Sequence, residues 1–287
     1  WVLGVERHSL RCTETLGADP VDVQSVSDVR RAIELARPDE VYYLAAYHQS
    51  AEERPPNDRV AFQESFAVNT SGLLNFLHCL QEFQPTGRLF YAASCHVFGQ
   101  GSASPMNEET PFAPDTPYAI TKAAGLASCR YYRERHSLFA VSGLLFNHES
   151  PLRGPSFLSQ KIVRAAVDIR AGNRSELILG DLQARVDWGY APDTVEAMTR
   201  ILALDTPDDF VVATGELHSV EDFLDVAFGA LDLDWRGYVR EDPNLVSRQA
   251  LPRLGDASKL RRATGWAPSV SFDEMVRSLV DARACEQ

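Results

Sequence analysis

Leu89-Phe-Tyr-Ala-Ala-Ser94-Cys-His96-Val-Phe-Gly99 and, after a loop rich in proline and acidic residues, Tyr118-Ala-Ile-Thr-Lys122 form the most informative stretch of this chain. The first run is apolar, β-prone and closes on a serine. The second opens a helix in which Tyr118 and Lys122 stand four residues apart and therefore share a face. A lysine held beside a tyrosine favours the phenolate, which takes a proton from an alcohol while hydride leaves the same carbon. Ser94, at the strand end, is placed to hold that hydroxyl. The tyrosine-lysine spacing alone is common. A strand ending in serine, then the loop, then the pair opening a helix is far more selective.

Outward from this stretch, strand-like runs alternate with helical patterns, the signature of a parallel sheet flanked by helices. The periodicities predict strands over 1–5, 41–46, 89–93 and 139–146. They predict helices over 26–36 and 66–82, and one beginning near Tyr118. After Pro151 the pattern changes: helices are expected over 157–171, 191–204, 220–231 and 272–286, and strands over 177–179 and 210–213. The expected fold class is α/β, a doubly wound parallel sheet with a smaller C-terminal lobe. Residues 1–150 read as a dinucleotide-binding domain and 151–287 as mostly a substrate lobe, with segments near 187–215 returning to the first domain. A dinucleotide fold opens with a strand, a glycine-rich turn and a helix whose amides hold the pyrophosphate. This sequence reads from the second strand, so about 25 to 30 residues are expected upstream.

The balance of 28 basic against 40 acidic residues gives a net charge of -12, which argues against a nucleic-acid-binding surface. Five cysteines, at 12, 79, 95, 129 and 285, show no paired or metal-ligand spacing. They suit a reducing cytoplasm. The seven histidines lack ligand spacing with acids or cysteines, so no metal is implied. No apolar run approaches membrane length.

Leu145-Phe-Asn-His-Glu-Ser-Pro-Leu-Arg-Gly154, Asp187-Trp-Gly189 and Phe210-Val-Val-Ala-Thr-Gly-Glu-Leu-His-Ser-Val220 carry a closer resemblance. Thr110-Pro-Phe-Ala-Pro114 and Thr264-Gly-Trp-Ala-Pro268 add to it. The chain resembles the GDP-mannose 4,6-dehydratase family of extended short-chain dehydrogenases. The resemblance implies an internal redox cycle on a nucleotide sugar. Tyr118 takes the proton of the C4 hydroxyl as hydride passes to NADP, a base removes the C5 proton, water leaves C6, and hydride returns there. The product is a 4-keto-6-deoxy sugar.

Residue by residue, the resemblance makes Ser94, His96, Tyr118 and Lys122 the catalytic set. Arg7, Asp22, Leu44, Ala45, Ala46, Asn147 and His148 join Tyr118 and Lys122 around the cofactor, and Asn147, Arg153, Lys161, Arg185 and Arg248 join Ser94 around the substrate. Arg7 implies NADP, while Glu6 beside it is the residue type that bonds the free ribose of NAD, which keeps NAD open. The family places a glutamate where this chain has His96. Imidazole, with a pKa of about 6.5, can take the C5 proton and hand one to the departing C6 oxygen. The other reading of His96 is a residue that only lines the pocket. Cys95 is expected to face the core. A homodimer or homotetramer is implied. Two alternatives stay open: a 4-ketoreductase or epimerase using the same Tyr118 and Lys122, and a non-catalytic sugar-nucleotide-binding homologue.

Overall fold

A computed structural model describes residues 21–47, 57–100, 105–245 and 251–285. The segments carrying Trp1 to Val5, Arg7, His48 and Arg248 lie outside them. Ten strands are present among the described residues: β1 (Glu40–Tyr43), β2 (Arg88–Ser94), β3 (Phe139–Leu145), β4 (Asn147–Glu149), β5 (Leu177–Leu179), β6 (Arg185–Val186), β7 (Trp188–Tyr190), β8 (Asp209–Val212), β9 (His218–Ser219) and β10 (Val239–Glu241). The α-helices are α1 (Val26–Ala36), α2 (Asp58–Ser65), α3 (Leu73–Phe83), α4 (Pro117–His136), α5 (Leu158–Arg170), α6 (Ala191–Leu202), α7 (Val220–Gly229), α8 (Ser258–Thr264) and α9 (Phe272–Ala284).

The central sheet has the order β1-β2-β3-β8, all parallel. β2, β3 and β8 are mostly apolar because both their faces are covered, and their period-two alternation sorts side chains between two cores. Leu89, Tyr91, Ala93, Ala140, Leu144 and Val211 pack with α1, α3 and α4. Phe90, Ala92, Val141, Leu145, Phe210 and Val212 pack with α6 and the region of α8. A third core, in which Val163, Phe223, Phe228, Trp188 and Val276 meet, joins α5, α7 and α9 into the second lobe.

Local chemistry sets the helix ends. The Ser25 side chain accepts the Asp28 amide at α1's start, and Arg37 in the left-handed region closes it. At α4, Thr116 caps, Pro117 takes the first helical position and Ser137, left-handed, ends the helix. α7 and α9 each begin with a capping box, Ser219 with Asp222 and Ser271 with Glu274.

Three expectations need correction. β1 ends at Tyr43, not Ala46: Leu44 and Ala46 are exposed and the chain leaves the ladder there. The helix expected over 66–82 starts at Asp58 and passes through a π-helical segment, Phe66–Gly72, before α3. The segment carrying α8, read as part of the second lobe, returns to the sheet, where Ala257, Leu260 and Trp266 join the β3–β8 core. Among the described residues no helix is long and apolar enough to cross a membrane.

Candidate active site

Sheet register decides which side chains meet. Ser94 pairs with Leu145 and Leu145 with Val212, so β2, β3 and β8 end level. Ligands of open parallel sheets bind outside these carboxyl ends. Ser94 is buried there, and its Oγ accepts the His96 amide at 3.3 Å as the chain turns into a short 3-10 helix over Cys95–Phe98. That turn brings His96 edge-on to Tyr118, with ring centres 5.9 Å apart and planes at 86°. Cys95 packs into the core beneath.

Tyr118 reaches the same point from α4, in the first turn behind the Thr116 cap. Lys122, one turn on, is 1% exposed. Its Nζ donates to the Ala92 carbonyl at 2.7 Å and lies 5.0 Å from the Tyr91 ring centre and 5.7 Å from that of Tyr118. Burial pushes the Lys122 pKa from 10.5 down to about 7. Burial also pushes the Tyr118 phenol up to about 12, against the hydrogen bond with Ser94 and the charge of Arg153, which both pull it down. Desolvation thus opposes the phenolate that the tyrosine-lysine pair is expected to favour.

β3 runs through Phe146 into β4, whose Asn147 and His148 pair with Trp188 and Gly189 of β7. The His148 Nδ1 lies 2.8 Å from the Phe146 carbonyl and must donate to it, which leaves Nε2 as the acceptor of a neutral ring. Burial lowers the His148 pKa and favours that neutral form. Arg153, in the turn after β4, donates from Nη1 to the His148 carbonyl at 3.2 Å. Its guanidinium lies 3.9 Å from the Phe157 ring centre, and its Nε is 3.6 Å from buried Glu149.

The remaining expected positions spread wider. Asp22 is exposed ahead of α1, where its carboxylate accepts the Gln24 amide. Leu44, Ala45 and Ala46 follow β1 at the same end of the sheet as Ser94. Lys161 is half-buried on α5. Arg185 is exposed on β6 and donates to the Leu217 carbonyl at 3.4 Å. Arg7 and Arg248 are outside the described segments.

Two residues escaped sequence reading. Asn69, fully buried in the π-helical segment, donates from Nδ2 to Thr121 Oγ1 at 3.0 Å and accepts the Tyr47 amide at 2.9 Å. It ties the chain leaving β1 to the turn of α4 that holds Lys122. The signal was a polar residue on an otherwise apolar helix face. Asp187, also buried, accepts from the Thr214 amide and hydroxyl and from the amides of Gly215 and Gly255, which pins three segments together beneath Asn147. Its signal was only its place before Trp188 and Gly189. Among the described residues no group of three or more His, Cys, Asp and Glu converges as a metal site.

Comparison with known proteins gives the family and the fold. The family described as GDP-mannose 4,6 dehydratase matches residues 8–279. GDP-mannose 4,6 dehydratase 2 of Arabidopsis thaliana is 42% identical over 265 residues, covering 91% of this chain and 69% of that protein. The GDP-mannose 4,6-dehydratase of Vibrio cholerae is 32% identical over 292 residues, 90% of this chain and 76% of that one. Among solved structures, RMD from Pseudomonas aeruginosa complexed with NADPH superposes with a TM-score of 0.83 at 21% identity, covering 94% of this chain and 89% of that one. The Thermus thermophilus UDP-glucose 4-epimerase complex with NAD gives 0.77 at 24% identity, over 94% and 86%. These structures share the fold, an open parallel α/β sheet. By the family match and the length of the curated relatives it covers, the chain belongs to the GDP-mannose 4,6-dehydratase family.

Proposed function

We propose that this chain is a nucleotide-sugar 4,6-dehydratase acting on GDP-mannose or a related GDP-hexose, with NADP, or NAD in its place, as its redox partner. The observation that carries the reading is the meeting of Ser94, Tyr118 and His96 at one strand end, with Lys122 buried behind them. Two separate proton-transfer groups side by side are what dehydration requires and simple alcohol oxidation does not.

The residues fit a dinucleotide. Lys122 is a buried side chain with three donors, one of them used by Ala92 among the described residues, and ribose hydroxyls match the others. Small side chains at Ala45 and Ala46 let a cofactor approach the backbone beyond β1, and Asn147 and His148 flank the opposite side. A nicotinamide bound here would supply a hydride acceptor for C4 and a hydride donor for C6. Ser94 holds the C4 hydroxyl, and Tyr118, as a phenolate held by the Lys122 ammonium, takes its proton and becomes the phenol. The C4 ketone acidifies the C5 hydrogen, which His96 removes, and the same imidazolium protonates the leaving C6 oxygen. Arg153, Lys161, Arg185 and Arg248 are the cations assigned to the nucleotide diphosphate, a group that arginine forks match in geometry.

The same reading carries a two-domain division, 1–150 and most of 151–287, with the segments near 187–215 and the α8 segment returning to the first domain, a homodimer or homotetramer and a cytoplasmic setting. It is supported by the family membership and, for the compartment, by the unpaired spacing of the cysteines. The test is incubation of the full-length protein with GDP-mannose and catalytic NADP, followed by mass analysis of the sugar nucleotide. Loss of one water is expected. An unchanged mass overturns the assignment, and stoichiometric oxidation of NADPH with a 4-keto sugar would mark a ketoreductase.

A further inference from the structure

We propose that Glu149 is a positioning residue, which holds the guanidinium of Arg153 in place for a diphosphate at the active site. The inference deepens the reading above and rests on it for the identity of the diphosphate. Glu149 is the last residue of β4, 3% exposed. Its Oε2 accepts the Ser159 hydroxyl of α5 at 2.6 Å and lies 3.6 Å from the Arg153 Nε. A buried carboxylate persists when hydrogen bonds and an opposite charge surround it, and Glu149 has one of each.

The same contacts fix the cation. Arg153 is gripped on three sides: by Glu149, by the His148 carbonyl at 3.2 Å and by the Phe157 ring at 3.9 Å. A long side chain alone on a loop carries large rotamer entropy, and a ligand would lose affinity in ordering it. Here that ordering is built into the folded chain. Its Nε is buried without a hydrogen bond of its own, so the carboxylate orients the group electrostatically, and the His148 carbonyl that Nη1 uses lies just past the end of β3, which is level with Ser94. The charge of Arg153 also reaches Tyr118 and lowers its pKa, which places the guanidinium near the reacting centre. The diphosphate is common to the dinucleotide and the sugar nucleotide, and the experiment separates the two sources.

The test is calorimetric titration of the full-length protein with NADP, with GDP and with inorganic pyrophosphate, in Glu149→Gln, Arg153→Ala and the double variant. Glu149→Gln is expected to weaken binding of one nucleotide, and of pyrophosphate, about tenfold, the scale of one charge-assisted hydrogen bond. Arg153→Ala should match it for the same ligand, and the double variant should lose no more. The nucleotide that responds names the source. Unchanged affinity for all three probes, or losses that add in the double variant, overturns the positioning role. Ser159→Ala, which keeps both charges, should show a smaller loss for the same ligand, and it decides the matter if Glu149→Gln does not fold. Glu149→Asp should recover part of the affinity, as a purely structural defect would not. If GDP-mannose is not dehydrated but the coupled loss of binding persists, the function reading fails and this inference stands. If the unsubstituted protein binds none of the probes, both fail.

Discussion

His96 meets Tyr118 edge to face, with ring centres 5.9 Å apart and planes at 86°. Two groups able to move protons thus meet while coming from different elements, the turn after β2 and the first turn of α4. Tyr118→Phe removes the first proton acceptor, and turnover is expected to fall about 100- to 10,000-fold with the fold intact. Steady-state assay beside circular dichroism checks both halves of that statement.

The His96 variants separate a base from a pocket wall. His96→Ala is expected to slow water loss about 100-fold or more while C4 oxidation persists, so that a 4-keto hexose retaining its C6 oxygen accumulates. His96→Glu, the residue type of the family, should restore much of the rate. Equal rates in all three proteins would make His96 a lining residue.

Lys122 gives a pH signature with a definite sign. Its folded pKa, about 7, lies below the ordinary 10.5. Between those values the unfolded chain holds a proton that the folded chain lacks, so stability rises with pH across that window, on the order of a few kcal/mol. Below pH 7 both states are charged, and burial of the ammonium costs its full amount. Lys122→Met is expected to abolish the rise and to stabilise the protein near neutrality. Urea midpoints measured from pH 6.5 to 10 would show it.

Glu108 closes the edge of the sheet. Its Oε1 accepts the Val211 amide of β8 at 2.7 Å, while Met106 exchanges backbone bonds with Leu254 and Asp256. The loop that delivers Tyr118 is held by these contacts. Glu108→Ala strands a strand amide and is expected to cost about 1–3 kcal/mol, read as a lower denaturant midpoint.

Asp187 gathers four donors from segments 27 to 68 residues away. Asp187→Ala removes the acceptor of all four, the buried Gly255 amide among them. A loss of about 3–5 kcal/mol is expected in thermal or urea unfolding, among the largest for a single site here.

These residues also show what a sequence displays and what it hides. α1 was legible to the residue because Ser25, Val29 and Ile33 state its cap and its buried face locally. The level ends of β2 and β3 follow from two apolar runs of similar length, and Tyr118 with Lys122 from helical spacing. The π-helical turn that aims Asn69 into the core was hidden, since one extra residue in a helix leaves no periodic trace. Glu149, Arg153 and Ser159 lie close in sequence, yet their grip depends on how α5 packs against β4. Asp187 depends on three segments brought together only by the fold. The raised pKa of Tyr118 was missed for the same reason: spacing reveals a neighbouring lysine, whereas desolvation is a property of the whole packed site.

The most direct test of the central claim follows a deuterium placed at C4 of GDP-mannose through one turnover in ordinary water. An internal redox cycle run by Tyr118 and His96 delivers that deuterium to C6 of the 4-keto-6-deoxy product, with a solvent hydrogen at C5. Loss of the label to solvent, or a product that keeps its C6 oxygen, would contradict it.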